Sequence, residues 1–214
     1  MVPAATTPTS LAEQAFDVLE QKLVTLALPP GQQVSEGELI KMTGFGRTPV
    51  REAIQRLAQQ ELFVVLPRKG LVVTPVDRAG MVYVLEARKP IERVIVHRAA
   101  LNARDDQRSE ISAIARKFTF MHDDFEGFLK LDSQLDRLID ECSGNHYATA
   151  AAAPLRSHCR RFWYFHRHQI PLADPISAHS KMARLVARRD YIGAQKASDL
   201  IIGIMERFAA TFAH

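Results

Sequence analysis

The stretch of sequence that most restricts the fold of this chain covers residues 44–57. It begins with two closely spaced glycines that permit a tight turn, and Pro49 falls in the first helical turn, where its missing N–H costs no hydrogen bond. The apolar residues that follow have the i, i+3, i+4, i+7 spacing of a helix face that packs on a core: Val50, Ala53, Ile54 and Leu57. We therefore predict a turn followed by an amphipathic helix.

Two arginines lie on another face of this predicted helix. Arg47 and Arg51 stand four residues apart near its start. Arginines so placed can reach guanine O6 and N7 in the major groove of DNA, or contact phosphates. A solvated amphipathic helix without a ligand also fits these two residues. The flanking segments favour the DNA-binding interpretation.

The preceding segment predicts a second helix ahead of the turn. Pro29-Pro30-Gly31 ends an earlier helix, and residues 35–42 form a short helix with Ser35 as N-cap and Glu38 as its capping-box partner. Helix, glycine turn and helix together make a helix-turn-helix.

The following segment predicts a β-hairpin. Residues 62–66 and 71–74 are short β-branched runs, separated by Pro67-Arg68-Lys69-Gly70. Such a hairpin is the wing of a winged helix, and its cationic tip suits a phosphate backbone or a minor groove.

These segments resemble the winged helix-turn-helix of GntR-type bacterial transcription regulators over about residues 10–75. The matching motifs are Pro30-Gly31, Glu38-Leu39, the RTPVREA run at 47–53, Arg56-Leu57 and Arg68-Lys69-Gly70. In that family the recognition helix contacts operator DNA, and the glycine at the wing tip lets the backbone approach the minor groove. The resemblance therefore implies a set of DNA-binding residues: Arg47, Thr48, Arg51, Arg68, Lys69 and Gly70.

The chain departs from the family pattern at three places. Gly46 stands where many members have a Ser or Thr N-cap, and Gly37 where many have a basic residue. Glu61-Leu62-Phe63 replaces a Glu-Gly-Leu before the wing. A glycine cap costs only about a few tenths of a kcal/mol relative to serine, so we expect the domain to fold. The resemblance therefore predicts operator binding more firmly than it predicts which operator sequence is bound.

Length and charge fit a regulator built of two parts. The 214 residues are 47% hydrophobic, which is enough for two hydrophobic cores. We predict a flexible tail at 1–9, a DNA-binding domain at 10–75 and a second domain at 76–214. The net charge of +4 is not itself the DNA signal, because residues 1–75 contain seven basic and seven acidic side chains. Five of those seven basic residues fall between 47 and 69, which indicates a local basic surface.

The sequence carries neither the blocks of a signal peptide nor an apolar run of membrane-spanning length. The two cysteines, Cys142 and Cys159, lack the spacing of a metal motif, which favours ordinary thiols. We expect a cytoplasmic protein without a membrane partner.

Beyond Val76, helical periodicity replaces the strand signals. Six helices are predicted at about residues 78–102, 105–121, 124–142, 145–168, 176–189 and 190–213. The predicted fold is mostly α, with an N-terminal winged helix-turn-helix and a C-terminal six-helix antiparallel bundle. The bundle resembles the six-helix form of the FCD domain, which senses ligands and dimerises in GntR-type regulators. The matching landmarks are Glu86-Ala87-Arg88 with Glu92, Ser143-Gly144-Asn145, Ala178-His179-Ser180 and Arg189-Asp190.

In many FCD domains an Asp and three His hold a divalent metal that binds a carboxylate effector. By this resemblance the Asp is Asp132 and the second His is His179, whereas Asp136 and Ile201 stand at the other two positions. Asp132, Asp136 and His179 would suit magnesium or manganese with waters. Because Ile201 cannot donate an electron pair, we expect that no cofactor is required and that the aspartates line a metal-free pocket.

Without a metal, a carboxylate effector needs a cationic side chain. Arg88 lies in the helix that lines the pocket of related domains, and a guanidinium can bind a carboxylate bidentately. Arg156 and Arg160 share a helix face in an aromatic and cationic segment, 156–168. That segment also fits an aromatic core stripe with a solvated basic edge, or a second nucleic-acid surface. The predicted effector site comprises Arg88, Asp132, Asp136, Asn145, Arg156, Arg160 and His179.

Two classes of function are compatible with these features. The favoured one is a transcription regulator, a repressor by default, that binds a short near-palindromic operator as a homodimer and is released by a small organic acid. The alternative is a helical enzyme that uses Asp132 and Asp136 with a divalent metal. Such enzymes need a second acidic cluster, and the sequence shows none, nor a Gly-rich phosphate loop, a nucleophile elbow or HExxH. We therefore predict a regulator and not an enzyme.

Overall fold

The computed structural model describes residues 10–66 and 70–212. The chain divides into two compact units, residues 1–76 and residues 77–214. The predicted flexible tail at 1–9 and the wing-tip residues Arg68 and Lys69 lie outside the described residues. None of the helices in the described ranges has the length and hydropathy to cross a bilayer.

Within its described residues, the first unit has three helices and three strands. They are α1 (Leu11–Val24), β1 (Gln33–Val34), α2 (Glu36–Thr43), α3 (Arg47–Gln59), β2 (Phe63–Leu66) and β3 (Gly70–Val73). The strands are antiparallel in the order β1-β3-β2, so the predicted hairpin is confirmed. The sequence does not predict β1, because two residues carry no periodic signal and their partners are distant in the chain.

The signals predicted at both ends of α2 are confirmed. Ser35 Oγ accepts from the backbone N–H of Glu38 at 3.2 Å, and the Glu38 carboxylate accepts from the backbone N–H of Ser35 at 2.7 Å. The helix ends at Gly44, whose φ of 73° is a left-handed conformation that glycine adopts without strain. This turn directs the chain into α3.

The apolar face predicted for α3 is buried in the core of the first unit. Its residues pack with apolar side chains of α1, α2 and the sheet, and they are Val50, Ala53, Ile54 and Leu57. Full burial of a single large aliphatic side chain contributes about 1.5–3 kcal/mol. Packing therefore fixes α3 by its inner face and leaves the opposite face to solvent.

Within its described residues, the second unit has the six predicted helices and a short 3₁₀ turn at Arg167–Gln169. The helices are α4 (Met81–Asn102), α5 (Asp105–Thr119), α6 (Phe125–Ser143), α7 (His146–Phe165), α8 (Ala173–Ala187) and α9 (Tyr191–Ala210). Helix α4 begins later than predicted, because Asp77 accepts from the N–H of Gly80 at 2.9 Å in a turn ahead of the helix. Helix α8 begins earlier, since Pro175 is tolerated in a first helical turn.

Helix α4 is central in the second unit. It packs against α6, α7, α8 and α9, while α8 also packs against α5 and α9. The inner faces of α4, α6, α7 and α8 carry a group of buried polar side chains, and α9 adds Ile201 and Met205 beside them.

Candidate functional site

The start of α3 presents two arginines to solvent. The side chains of Arg47 and Arg51 are 77% and 62% exposed, and Thr48 between them is also exposed. Both Nε atoms pair with the carboxylate of Glu36 on α2, at 3.4 Å and 3.3 Å respectively. Exposed ion pairs contribute about 0–1 kcal/mol, so a stronger anionic ligand can displace Glu36. Sequence reasoning missed Glu36, because this pairing crosses from one helix to the next.

The two wing strands meet at Gly70. This residue pairs with Leu66 across the hairpin and has a φ of 90°. A Cβ at this position would lie 3.0 Å from the backbone oxygen of Val34, closer than ordinary packing allows. Glycine is therefore required by the sheet itself. The DNA contacts of Gly70, Arg68 and Lys69 stay predictions, the last two for residues outside the described ranges.

A buried network of charged side chains lies in the second unit. Arg156 donates to both oxygens of Glu92 at 2.7 Å each, and to Asp140 at 2.8 Å. Arg88 donates through Nε to Glu92 at 2.8 Å, and its Nη1 lies 3.8 Å from the sulfur of Met205. One carboxylate, that of Glu92, thus holds two guanidinium groups.

The other part of the network surrounds Arg160. Its Nε lies 3.0 Å from Oδ2 of Asp132, and its Nη2 donates to Oδ2 of Asp136. His179 Nε2 lies 3.2 Å from the other oxygen of Asp132, and its Nδ1 lies 2.7 Å from a backbone oxygen of its own helix. Arg156 Nε lies 3.5 Å from Asp136, which joins the two parts.

Burial and pairing shift the pKa values of these acids in opposite directions. Burial alone would raise each pKa, but the paired arginines hold the pKa of Asp132 and that of Glu92 well below the usual range. Burial raises the pKa of Asp140 to about 6 and also raises the pKa of Asp136. The network therefore has two firmly ionised carboxylates and two that take up a proton more readily.

A cavity of about 30 Å³ lies against this network, with room for about one water molecule. Its lining combines charged or polar side chains with apolar and sulfur-containing ones: Arg88, Asp132, Arg156, Arg160 and His179 together with Phe128, Leu129, Cys159, Trp163, Ile201 and Met205. Trp163 stacks on Phe128 with ring centroids 5.9 Å apart, and its indole N–H has no hydrogen-bond partner among the described residues. An apolar wall with a few convergent polar groups is typical of a ligand pocket.

The structure brings together six of the seven residues predicted for the effector site. Five of the six line the cavity, whereas Asp136, also expected to line it, belongs only to the charged network. The seventh, Asn145, instead caps α7, where its Oδ1 accepts a backbone N–H at 3.2 Å, and it does not line the cavity. Glu92 and Asp140 belong to the network although sequence reasoning did not assign them to the site. Asp132, Asp136 and Asp140 follow one another at four-residue steps along α6, and this spacing is a signal that could have found Asp140.

The residues at the metal positions implied by the family resemblance do not fit a metal ion. Arg160 binds an oxygen of Asp132 and an oxygen of Asp136, and Ile201 has no electron pair to donate. The guanidinium of Arg156, whose Nε lies 3.5 Å from Asp136, adds repulsion to a divalent cation. In the described ranges, no three His, Cys, Asp or Glu side chains are grouped so as to hold a metal.

Two known family models match the chain. Residues 83–203 match the FCD domain, and residues 11–73 match the bacterial regulatory proteins of the gntR family. The chain belongs to the GntR family. This GntR protein is a transcription regulator with a DNA-binding helix-turn-helix and not an enzyme, which excludes the metal-dependent helical enzyme considered above.

Similar proteins are regulators as well. An uncharacterised HTH-type transcriptional regulator in the TAR-I ttuE-ttuC' intergenic region of Agrobacterium vitis is 26% identical over 135 residues, 60% of this chain and 78% of the relative. The HTH-type transcriptional repressor RspR of Escherichia coli is 23% identical over 188 residues, 86% of this chain and 82% of the relative. The solved structure of E. coli McbR/YncC has a TM-score of 0.79 at 18% identity and covers 96% of this GntR protein and 99% of that chain. The last similarity shows a shared fold.

Proposed function

We propose that this protein is a cytoplasmic repressor that binds a short near-palindromic operator as a homodimer and is released by a small carboxylate. The observation that carries the proposal is the pair Arg47 and Arg51, exposed side by side at the start of α3. Guanidinium groups so placed can bind guanine O6 and N7 or phosphates. The relative RspR is named a transcriptional repressor, which supports repression over activation.

Selection of genomic DNA fragments by the purified protein at near-physiological salt tests this proposal. We expect enrichment of one short inverted repeat, because paired recognition helices reach successive major grooves about one helical turn apart. The same selection with Arg47→Ala/Arg51→Ala should lose the enrichment. A selection in which wild type enriches no sequence would contradict the proposal.

The exposed face of α4 supports dimerisation. Side chains without charge recur there in steps of three, four and seven residues, as in the seam between paired helices: Tyr83, Ala87, Pro90, Val94 and Leu101. At the remaining seam position His97 is half-buried and packs on Tyr191 with ring centroids 4.9 Å apart. We infer that a second copy of the chain covers this face, since a symmetric dimer matches a palindromic operator.

Val94→Glu should convert the dimer to a monomer, because it places a charge in the middle of this apolar face. Val94 is 44% exposed, so the monomer itself should remain folded. Size-exclusion chromatography with light scattering measures the mass. Phe120→Glu is the matched control: Phe120 is 77% exposed just after α5, away from the α4 face, and the variant should stay dimeric. A dimeric Val94→Glu protein would show that the interface lies elsewhere.

Arg88 is well placed to bind the carboxylate of an effector. It is 8% exposed and lines the cavity, and its Nη1 faces the sulfur of Met205, a weak acceptor. Its carboxylate partner Glu92 is shared with Arg156. A ligand carboxylate would give Arg88 a stronger acceptor than sulfur, while the apolar wall around Trp163 would hold a short carbon chain.

Ligand entry into this pocket requires side chains to move. The cavity of about 30 Å³ is far smaller than an organic acid needs, so residues of its wall must shift when the ligand binds. A shift of helices in the second unit is a route to changed DNA affinity, and a coupling free energy of about 1–3 kcal/mol is typical.

Arg88→Ala should keep its operator affinity and lose most of its response to the effector. Loss of a charge-assisted hydrogen bond costs about 1.5–3 kcal/mol, or roughly 10- to 150-fold in effector affinity. A panel of small monocarboxylates and dicarboxylates is titrated against the protein–operator complex, with fluorescence anisotropy as the readout. Lys89→Ala is the matched control on the same helix, since Lys89 is 39% exposed and pairs with Glu206. An Arg88→Ala response equal to that of wild type would refute the pocket assignment.

A further inference from the structure

The guanidinium of Arg160 is enclosed by two carboxylates and a histidine, which are side-chain types that bind metals in other proteins. Its Nε and Nη2 bind Asp132 and Asp136, and His179 contacts the other oxygen of Asp132. The side chain of Arg160 is 19% exposed, and those of the two aspartates are 11% and 12% exposed. Two adjacent carboxylates at such depth repel each other and have lost water, so a cation beside them stabilises their ionised forms.

We propose that Arg160 is the resident cation of this pocket and takes the place of a divalent metal ion. This inference rests on the proposed function only in treating the cavity as the effector site. The planar guanidinium neutralises Asp132 and Asp136 together, through hydrogen bonds of fixed direction. Ile201 adds no donor atom to the cavity wall. While Arg160 is in place, its neighbours therefore cannot complete the coordination shell of a metal ion.

Arg160 in place of a metal ion changes how the pocket recognises its ligand. A carboxylate that enters meets three guanidinium groups, those of Arg88, Arg156 and Arg160, which all line the cavity. Recognition then depends on directional hydrogen bonds instead of metal coordination. Effector binding by wild type should accordingly be unchanged by a chelator.

Metal titration of the full chain tests this inference without effector or DNA. Elemental analysis of protein purified without chelator comes first, followed by calorimetric titration of Mn²⁺ and Zn²⁺ into wild type, Arg160→Ala and Arg160→Ala/Asp132→Asn. We expect wild type to contain no stoichiometric metal and to give no binding isotherm. Arg160→Ala should gain about one divalent ion per chain, because Asp132, Asp136 and His179 supply oxygen and nitrogen ligands. The added Asp132→Asn should abolish that gain.

Two results would overturn the proposal. One is stoichiometric metal in wild type that Asp132→Asn removes. The other is an Arg160→Ala protein that is folded by circular dichroism and gains no metal. If Arg160→Ala does not fold, Arg160→Lys replaces it: lysine keeps the charge, so this variant should fold without metal, and metal binding by it would contradict the proposal. These titrations do not involve DNA or a carboxylate, so they stand apart from any failure of the proposed function.

Discussion

Alanine at both Arg47 and Arg51 should weaken operator binding by more than about 30-fold while leaving the fold intact. Each contact to a matched base contributes about 1–3 kcal/mol, so the two together contribute about 2–6 kcal/mol if their effects add. Both side chains are exposed and pair with Glu36, so their removal leaves the core unchanged. Fluorescence anisotropy with an operator fragment at one fixed salt concentration measures the loss.

A charge-matched variant separates this effect from general electrostatics. Arg116→Ala/Lys117→Ala removes the same charge from exposed positions on α5 in the second unit and should bind the operator as wild type does. If Arg47→Ala/Arg51→Ala loses affinity equally for every DNA sequence, the arginines contact phosphates and do not read bases. Full retention of operator affinity would show that α3 is not the recognition helix.

Glu92→Ala should destabilise the second unit by about 3–5 kcal/mol, because it leaves buried guanidinium groups without their carboxylate. Glu92 is 5% exposed and accepts three hydrogen bonds, one from Arg88 and two from Arg156. The free energy of unfolding of a domain is only about 5–15 kcal/mol, so the substitution should remove a large fraction of it. Urea unfolding followed by the fluorescence of Trp163, the single tryptophan, reports on the second unit alone.

Glu206→Ala is the control for this variant, and pH gives a further check. Glu206→Ala removes the same charge from an ion pair with Lys89 in which both side chains are 39% exposed. The free energy of unfolding should therefore fall by only about 0–1 kcal/mol. The pKa of Glu92 lies well below its unfolded value, so its contribution is present above the unfolded pKa, near 4.3, and is lost as pH falls through the folded pKa. The difference between wild type and Glu92→Ala should therefore shrink in acid. A small, pH-independent loss would show that the network does not stabilise the fold.

The recognition helix and the hairpin could be predicted from sequence because their signals are local. Ser35, Glu38 and Gly44 fix the ends of α2 through contacts within four residues. The apolar spacing after Pro49 then defines which face of α3 is buried. Strand β1 could not be predicted, because its two residues owe their extended conformation to hydrogen bonds with β3, which lies far along the chain.

The residues of the pocket could be predicted from the sequence, but the ion pairs between them could not. Family resemblance and helix spacing grouped the polar residues, yet no local signal shows that Arg160 binds both Asp132 and Asp136. Glu92 stood out in the sequence as a family landmark, and only packing shows that it accepts from Arg156 on another helix. Such contacts join residues that are distant in sequence, so periodicity carries no information about them.

Strand β1 also determines how the wing behaves. It joins the segment leading into α2 to the same sheet as the wing strands, and the close approach of Gly70 to Val34 leaves no room for a side chain between them. The root of the wing therefore lacks a hinge of its own, and its orientation toward α2 and α3 is settled when the unit folds. Little conformational entropy remains to be lost at this root, so a duplex that contacts the wing would meet a preorganised surface.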